Sequence, residues 1–146
     1  MNVLLVCTGN TCRSPMAAVI LERLGGERGV RVRSAGTGAV SGAPAAEEAR
    51  RVARRHGLSL ASHRSAPLEP ELLAWSDHVL AMEGYHKRVI ERLGAAEKVT
   101  LLSEYGGDGG DIADPIGEPE ETYERVFAAL ERYLAAFLET EQAPKT

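Results

Sequence analysis

Apolar positions along the chain alternate between two spacings. Asn2 to Val6 is a short unbroken run rich in branched side chains, the pattern of a strand buried on both faces of a parallel sheet. Three more strands are predicted at Val30 to Ala35, His78 to Met82 and Lys98 to Leu102. Between them the period becomes helical. Met16, Ala17, Ile20, Leu21 and Leu24 repeat at helix spacing until Gly25 and Gly26 stop the run. Ala45 to His56 puts Ala45, Ala49, Val52, Ala53 and His56 on one face and Arg50, Arg51, Arg54 and Arg55 on another, with Gly57 closing the helix. The four arginines read as a solvated face. Pro67-Leu-Glu-Pro70 introduces a short helix to about Trp75, and Glu83 to Leu93 reads as a helix with Val89, Ile90 and Leu93 inward. Pro119 opens a long last helix whose apolar face includes Tyr123, Phe127, Leu130, Leu134 and Phe137, and Glu141 to Thr146 reads as a frayed tail. Strands alternating with helices predict an α/β fold of three layers, a four-stranded parallel sheet with helices on both faces joined by right-handed crossovers. Ligands of such sheets bind beyond the carboxyl ends of the strands.

Composition narrows the class. With 146 residues, 44% of them hydrophobic, the chain is expected to form one domain spanning 1–146. No apolar stretch approaches the ~20 residues of a membrane span, and Met1 leads directly into the first strand without a basic region or cleavage site, so a cytoplasmic protein with no membrane partner is expected. A net charge of -4, without a basic stripe interleaved with aromatics, argues against nucleic acid as a partner. The two cysteines, Cys7 and Cys12, are too close together to staple a fold. No His or Cys follows at finger spacing, so a zinc site lacks ligands; neither a metal nor a cofactor is expected.

That leaves chemistry at the cysteines themselves. Cys7 falls at the carboxyl end of the first strand, and after five intervening residues Arg13, Ser14 and Pro15 open a helix, with Ser14 read as N-cap and Pro15 as first helical residue. A loop that runs into a helix N-terminus can curl its amides around a tetrahedral oxyanion, and the same field favours a thiolate, the attacking form of cysteine. Gly9 permits a backbone path that a side chain would obstruct. Arg13 offers a planar fork for two phosphoryl oxygens, and Ser14 can donate its hydroxyl to Cys7. The leaving group needs a proton donor, for which Asp114, in the glycine-rich loop before the last helix, is the first candidate and Asp111 the rival. Cys12 stands near enough in sequence to meet Cys7 in a protective disulfide on oxidation; its bland alternative is a buried filler.

These residues carry a resemblance. Cys7-Thr-Gly-Asn-Thr-Cys-Arg-Ser-Pro15 resembles the signature of the low-molecular-weight protein tyrosine phosphatase family, and Asp114-Pro115 its general-acid loop. Arg33-Ser-Ala-Gly-Thr37, Arg55-His-Gly57, Ser62-His-Arg-Ser65 and Val79-Leu-Ala-Met82 resemble further family segments in the same order, so the likeness covers nearly the whole chain. It implies a flavodoxin-like sheet and metal-free hydrolysis of phosphorylated protein side chains through a phosphocysteine on Cys7. Thr8, Gly9, Asn10, Thr11, Cys12, Arg13 and Ser14 would then hold the phosphate, and Asp114 would act as acid and then base. Asn10, Ser14, Ser34 and His63 would brace the loop.

The departures from the tyrosine-directed pattern are informative. Aromatic walls that would sandwich a phosphotyrosine ring are missing: Ile116 and Gly117 follow the Asp-Pro pair, and the loop after Gly36 offers Thr37, Ala39 and Val40. Thr11 resembles the protein arginine phosphatase branch. From Glu104 to Glu124 every charged side chain is acidic, a field that welcomes a guanidinium, although a helix start favoured by the dipole accounts for Glu118, Glu120 and Glu121. Phosphoarginine is therefore the expected substrate, with Thr11 and Asp114 setting the choice, and phosphotyrosine the alternative. An arsenate reductase would need relay cysteines after Cys12, a phosphocysteine carrier would keep its phosphate where Arg13 and Asp114 favour hydrolysis, and a plain disulfide module would not need Arg13.

Overall fold

In the computed structural model, which describes residues 1–142, the first strand takes the centre of the sheet. β1 (Asn2–Cys7) pairs in parallel with β2 (Arg31–Gly36) on one side and β3 (His78–Ala81) on the other, and β4 (Val99–Leu101) completes the order β2-β1-β3-β4. Val3, Leu4, Leu5 and Val6 have no exposed surface, as a strand covered on both faces requires. Alternate residues of β1 serve different layers. Val3, Leu5 and Cys7 pack with α1 (Arg13–Gly25), α2 (Glu47–Arg55) and α5 (Glu120–Glu141). Leu4 and Val6 pack with Leu73 of α3 (Pro70–Trp75) and Ile90 of α4 (Gly84–Ile90). The α/β architecture, with helices on both faces of a four-stranded parallel sheet, is the one the alternating periods predict.

Several local expectations need correction. α1 begins at Arg13 with Cys12 at its cap position, two residues before the expected Ser14. Ser14 does not cap because its hydroxyl turns into the loop, and Pro15 still sits in the first turn, where a missing N–H costs nothing. The segment after β3 leaves the α-helical path after Ile90: Gly94 takes φ 92, a left-handed conformation, and Leu93 is turned out to 50% exposure instead of packing inward. The arginine face of α2 is not simply solvated. Arg51 contacts Glu120 at 2.5 Å, and Arg55 contacts Glu120 at 2.5 Å and Glu124 at 2.9 Å, which ties α2 to the first turns of α5. Two of the acids expected to shape the field near Asp114 are thus neutralised by α2. Glu141 is the last residue of α5; the rest of the expected tail, from residue 143, lies outside the described residues. No helix among the described residues is long and apolar enough to cross a membrane.

Candidate active site

Cys7 ends β1, and the chain then loops over the carboxyl edge of the sheet before Arg13 starts α1. The surroundings dictate which way the loop faces. The Cys7 carbonyl accepts from Thr37 N–H at 2.9 Å, Thr8 from Gly38 at 3.0 Å, Asn10 from the His63 ring at 2.7 Å, and Thr11 from Ala46 at 2.8 Å. With those carbonyls bonded away, the N–H groups of Gly9 to Cys12 have no protein acceptor among the described residues, and Gly9, Thr11 and Cys12 line the concavity, which suits an oxyanion at a helix start. Gly36 on β2 makes the close approach possible, since a β-carbon there would run into the Thr8 carbonyl oxygen. Within the loop the left-handed residue is Asn10, φ 56, and not Gly9. A β-carbon on Gly9 would meet only Thr11 Oγ1 at 3.6 Å, so the absent side chain leaves room in the cavity and relieves no clash with the protein.

Asn10 is wholly buried and uses both ends of its amide. Its Oδ1 accepts from Ala66 N–H at 2.9 Å, which fixes the orientation of the group, and its Nδ2 donates to Ser14 Oγ at 2.7 Å and to Ser34 Oγ at 3.0 Å. Because Ser14 Oγ accepts from Asn10, its own hydrogen is free for Cys7 Sγ, 2.9 Å away. His63 donates from Nε2 to the Asn10 carbonyl, and burial lowers its proton affinity below the ordinary histidine value. The structure therefore brings Asn10, Ser14, Ser34 and His63 together in one network beside Cys7, with Asn10 and Ser14 buried and Ser34 and His63 half-buried.

Arg13 is 1% exposed. Its Nη1 donates to Glu83 Oε2 at 2.6 Å and to the Ile112 carbonyl at 2.7 Å, while Nη2 lies 3.5 Å from Asp114 Oδ2. One edge of the fork is anchored and the other faces the cavity. That cavity, about 130 Å³, is lined by Cys7, Thr8, Gly9, Thr11, Cys12, Arg13, Asp114 and Ile116. The two candidate acids separate here. Asp114 lines the cavity and accepts from Ile116 N–H at 3.1 Å, whereas Asp111 accepts from Gly84 N–H at 2.7 Å and serves the start of α4. Cys12 is buried with its Sγ 3.5 Å from the Tyr123 hydroxyl, and burial pushes its thiol up from the ordinary cysteine value.

Sequence reasoning missed Glu83, His86 and Tyr123. His86 sits 2.8 Å from Thr8 Oγ1, and its Nδ1 accepts from Glu83 N–H. Glu83 follows the end of β3, where ligands of a parallel sheet gather, and that position was the available signal. His86 and Tyr123 carried none, being spaced like core residues of their helices.

A loop of amides, a thiol, a buried arginine and an aspartate surround one small cavity, and the chain that forms it matches a family model. The model for low molecular weight phosphotyrosine protein phosphatase matches residues 2–145. The chain belongs to that family. It is accordingly a cysteine-dependent phosphatase. It is 45% identical to the protein-arginine-phosphatase of Geobacillus stearothermophilus, over 97% of this chain and 98% of that protein. It is 36% identical to the low molecular weight protein-tyrosine-phosphatase Wzb of Escherichia coli K12, over 90% of this chain and 88% of that one. A structure of the YwlE arginine phosphatase, a mutant with a phosphorylated active-site serine, superposes with a TM-score of 0.92 at 35% identity, covering 99% of this chain and 98% of that one. Both substrate classes are thus represented among relatives of similar length.

Proposed function

We propose that this chain, acting as one domain, is a protein phosphatase that hydrolyses phosphoarginine in proteins through a phosphocysteine. In the first step the Cys7 thiolate attacks phosphorus in line, the P–N bond breaks, and Asp114 gives its proton to the departing guanidine nitrogen. The loop amides and Arg13 hold the three equatorial oxygens as charge spreads over them. In the second step Asp114, now a carboxylate, takes a proton from the water that attacks phosphocysteine, and inorganic phosphate leaves. The sulfur departs as thiolate with the Ser14 hydroxyl donating to it, which eases the break. The phosphorylated side chains of proteins are the substrates, and the cytoplasm is the compartment where a reduced Cys7 and such substrates meet.

The observation that carries the choice of arginine is the cavity lining, which holds no aromatic side chain and has Thr11 on its wall beside Asp114. Ring walls serve a phosphotyrosine; a thin planar guanidinium needs acceptors, and Asp114 can accept from its N–H groups. The similarity to the Geobacillus arginine phosphatase supports the same choice. Turnover of phosphoarginine and phosphotyrosine peptides measured side by side tests it, together with Thr11→Ile. The variant is expected to lose about 10 to 200-fold in the arginine-to-tyrosine ratio of kcat/KM, the reach of a contact of this size. A parent enzyme faster on phosphotyrosine, or a variant that changes both rates alike, leaves tyrosine as the substrate.

We also propose that Cys12 protects Cys7. Both thiols are free, buried and on the same cavity. Peroxide would convert the Cys7 thiolate to sulfenic acid, and the Cys12 thiol would displace water from it to form a disulfide. Peroxide followed by thiol should restore the parent and leave Cys12→Ser largely inactive; equal recovery would make Cys12 a filler.

A further inference from the structure

The phosphate loop has a second brace, on the side away from Asn10, and it bears on a hydroxyl rather than on the thiol. His86 is wholly buried on α4. Its two ring nitrogens have definite partners. The Glu83 N–H donates to Nδ1 at 3.1 Å, so Nδ1 carries no proton. The proton stands on Nε2, 2.8 Å from Thr8 Oγ1, and the ring is neutral. Burial first, and the charge of Arg13 next, favour that neutral form, while Glu83, Asp111 and Asp114 oppose them. Nε2–H therefore donates to Thr8 Oγ1. With one lone pair so used and no acceptor for its own hydrogen among the described residues, the Thr8 hydroxyl is left as a donor at the wall of the phosphate cavity.

We infer that His86 is a positioning residue that turns the Thr8 hydroxyl onto the phosphoryl group, adding one side-chain donor to the loop amides and Arg13. The inference rests on the phosphatase reading of the cavity but not on which phosphorylated side chain is the substrate. Thr8 and Ser14 are then counterparts. Each hydroxyl accepts from a buried polar side chain, Asn10 in one case and His86 in the other, and each is thereby aimed at a reacting group.

The test uses inorganic phosphate as a competitive inhibitor, so that binding at the cavity is read apart from substrate choice. Thr8→Val keeps the shape and deletes the donor; it is expected to raise the inhibition constant for phosphate about tenfold, the scale of one hydrogen bond to a charged group, with the melting temperature little changed. His86→Leu should weaken phosphate binding too, and His86→Gln, which can still donate to Thr8, should recover part of that loss. In the Thr8→Val background the change from Gln to Leu at position 86 should have no further effect on phosphate. If Thr8→Val binds phosphate as tightly as the parent, the hydroxyl is no ligand and His86 merely fastens the loop. The Thr8 variant replaces an exposed side chain, so the inference can be overturned even if the buried His86 variants do not fold. A parent that binds phosphate but turns over neither phosphoarginine nor phosphotyrosine peptides would instead count against the proposed function and leave this inference standing.

Discussion

Cys7 and Asp114 line the same cavity, but their supports differ. Cys7 is 3% exposed, at the end of the central strand, in a loop whose carbonyls and side chains are held from β2, α1, α2 and the 63–66 segment. Asp114 has a side chain 39% exposed, a single backbone donor two residues away, and Arg13 at 3.5 Å. Its loop is docked to the sheet upstream, where Ile112 N–H donates to the Met82 carbonyl at 2.9 Å, and downstream through the ion pairs of Glu120. The contrast follows from the chemistry. A phosphate cradle works by donors that need no rearrangement when charge develops. An acid that must admit substrate, give up a proton and later receive a water is better placed on a wall that can be reached and can shift.

Removing the central group of each wall gives the largest effects. Cys7→Ser should lower turnover by more than about a thousandfold, a barrier increase above ~4 kcal/mol, while phosphate still binds the intact cradle. Residual turnover above that level would mean that covalent attack by this sulfur is not the route. Asp114→Ala should cost about 10² to 10⁴-fold on substrates with poor leaving groups and much less on an activated aryl phosphate, because only the former need the proton. Asp111→Asn is the control for its neighbour. Since Asp111 serves Gly84 N–H, its substitution should spare that leaving-group dependence, and a loss confined to poor leaving groups would return Asp111 as the acid.

The same contrast separates what the sequence made legible from what it hid. The strand that ends in Cys7 and the spacing to Arg13 were legible because covalent order alone places them: a parallel strand must end at the ligand edge and a helix must follow. The resemblance added Asn10, Ser14, Ser34 and His63, which meet across more than 50 residues of chain. Glu83 and His86 were hidden because a carboxylate and an imidazole after a strand look like any helix start until the register of β3 against β1 brings them beside Arg13 and Thr8. The Ser14 error had a related cause. An N-cap signal predicts where a hydroxyl would be useful locally, and here a tertiary partner, Cys7, takes it instead.

Protonation offers a smaller way to part the two regions. His63 behind the loop and His86 beside Thr8 both have proton affinities lowered from 6.5, by burial foremost. The unfolded chain then binds more protons than the folded one as pH falls below about 6.5, so stability is full above that value and declines on acidification until the folded-state values are passed. Glu120 has a value lowered from 4.5 by Arg51 and Arg55, and Glu124 by His56 first and then Arg55, so their contribution is present above 4.5 and is lost below it. Between the two windows the two histidines lower stability on acidification, and Glu22 on α1, raised from 4.5 by burial, works against them. Melting temperatures from pH 7 to pH 5 should fall in the parent and fall less in His63→Gln. An equal decline in both would assign the acid sensitivity to His86 or to groups away from the loop.

The smallest effect is expected at the far anchor of the acid wall. Glu120 opens α5, six residues after Asp114, and pairs with Arg51 and Arg55 across the surface between α5 and α2. Exposed pairs of this kind contribute little individually and are screened by salt, so Glu120→Gln should leave the fold and the phosphate cradle as they are. What it loosens is the segment between Pro115 and Pro119, on which the position of Asp114 depends. The expected result is a modest loss in kcat on poor leaving groups with no change in phosphate inhibition, a loss that fades when the parent is compared at high salt, where its own ion pairs are weakened. The direction of the effect distinguishes the two walls. If Glu120→Gln weakened phosphate binding instead, the ion pairs between α2 and α5 would be acting through Ala46 and its bond to the Thr11 carbonyl, and the acid loop would owe its place to Ile112 and Arg13 alone.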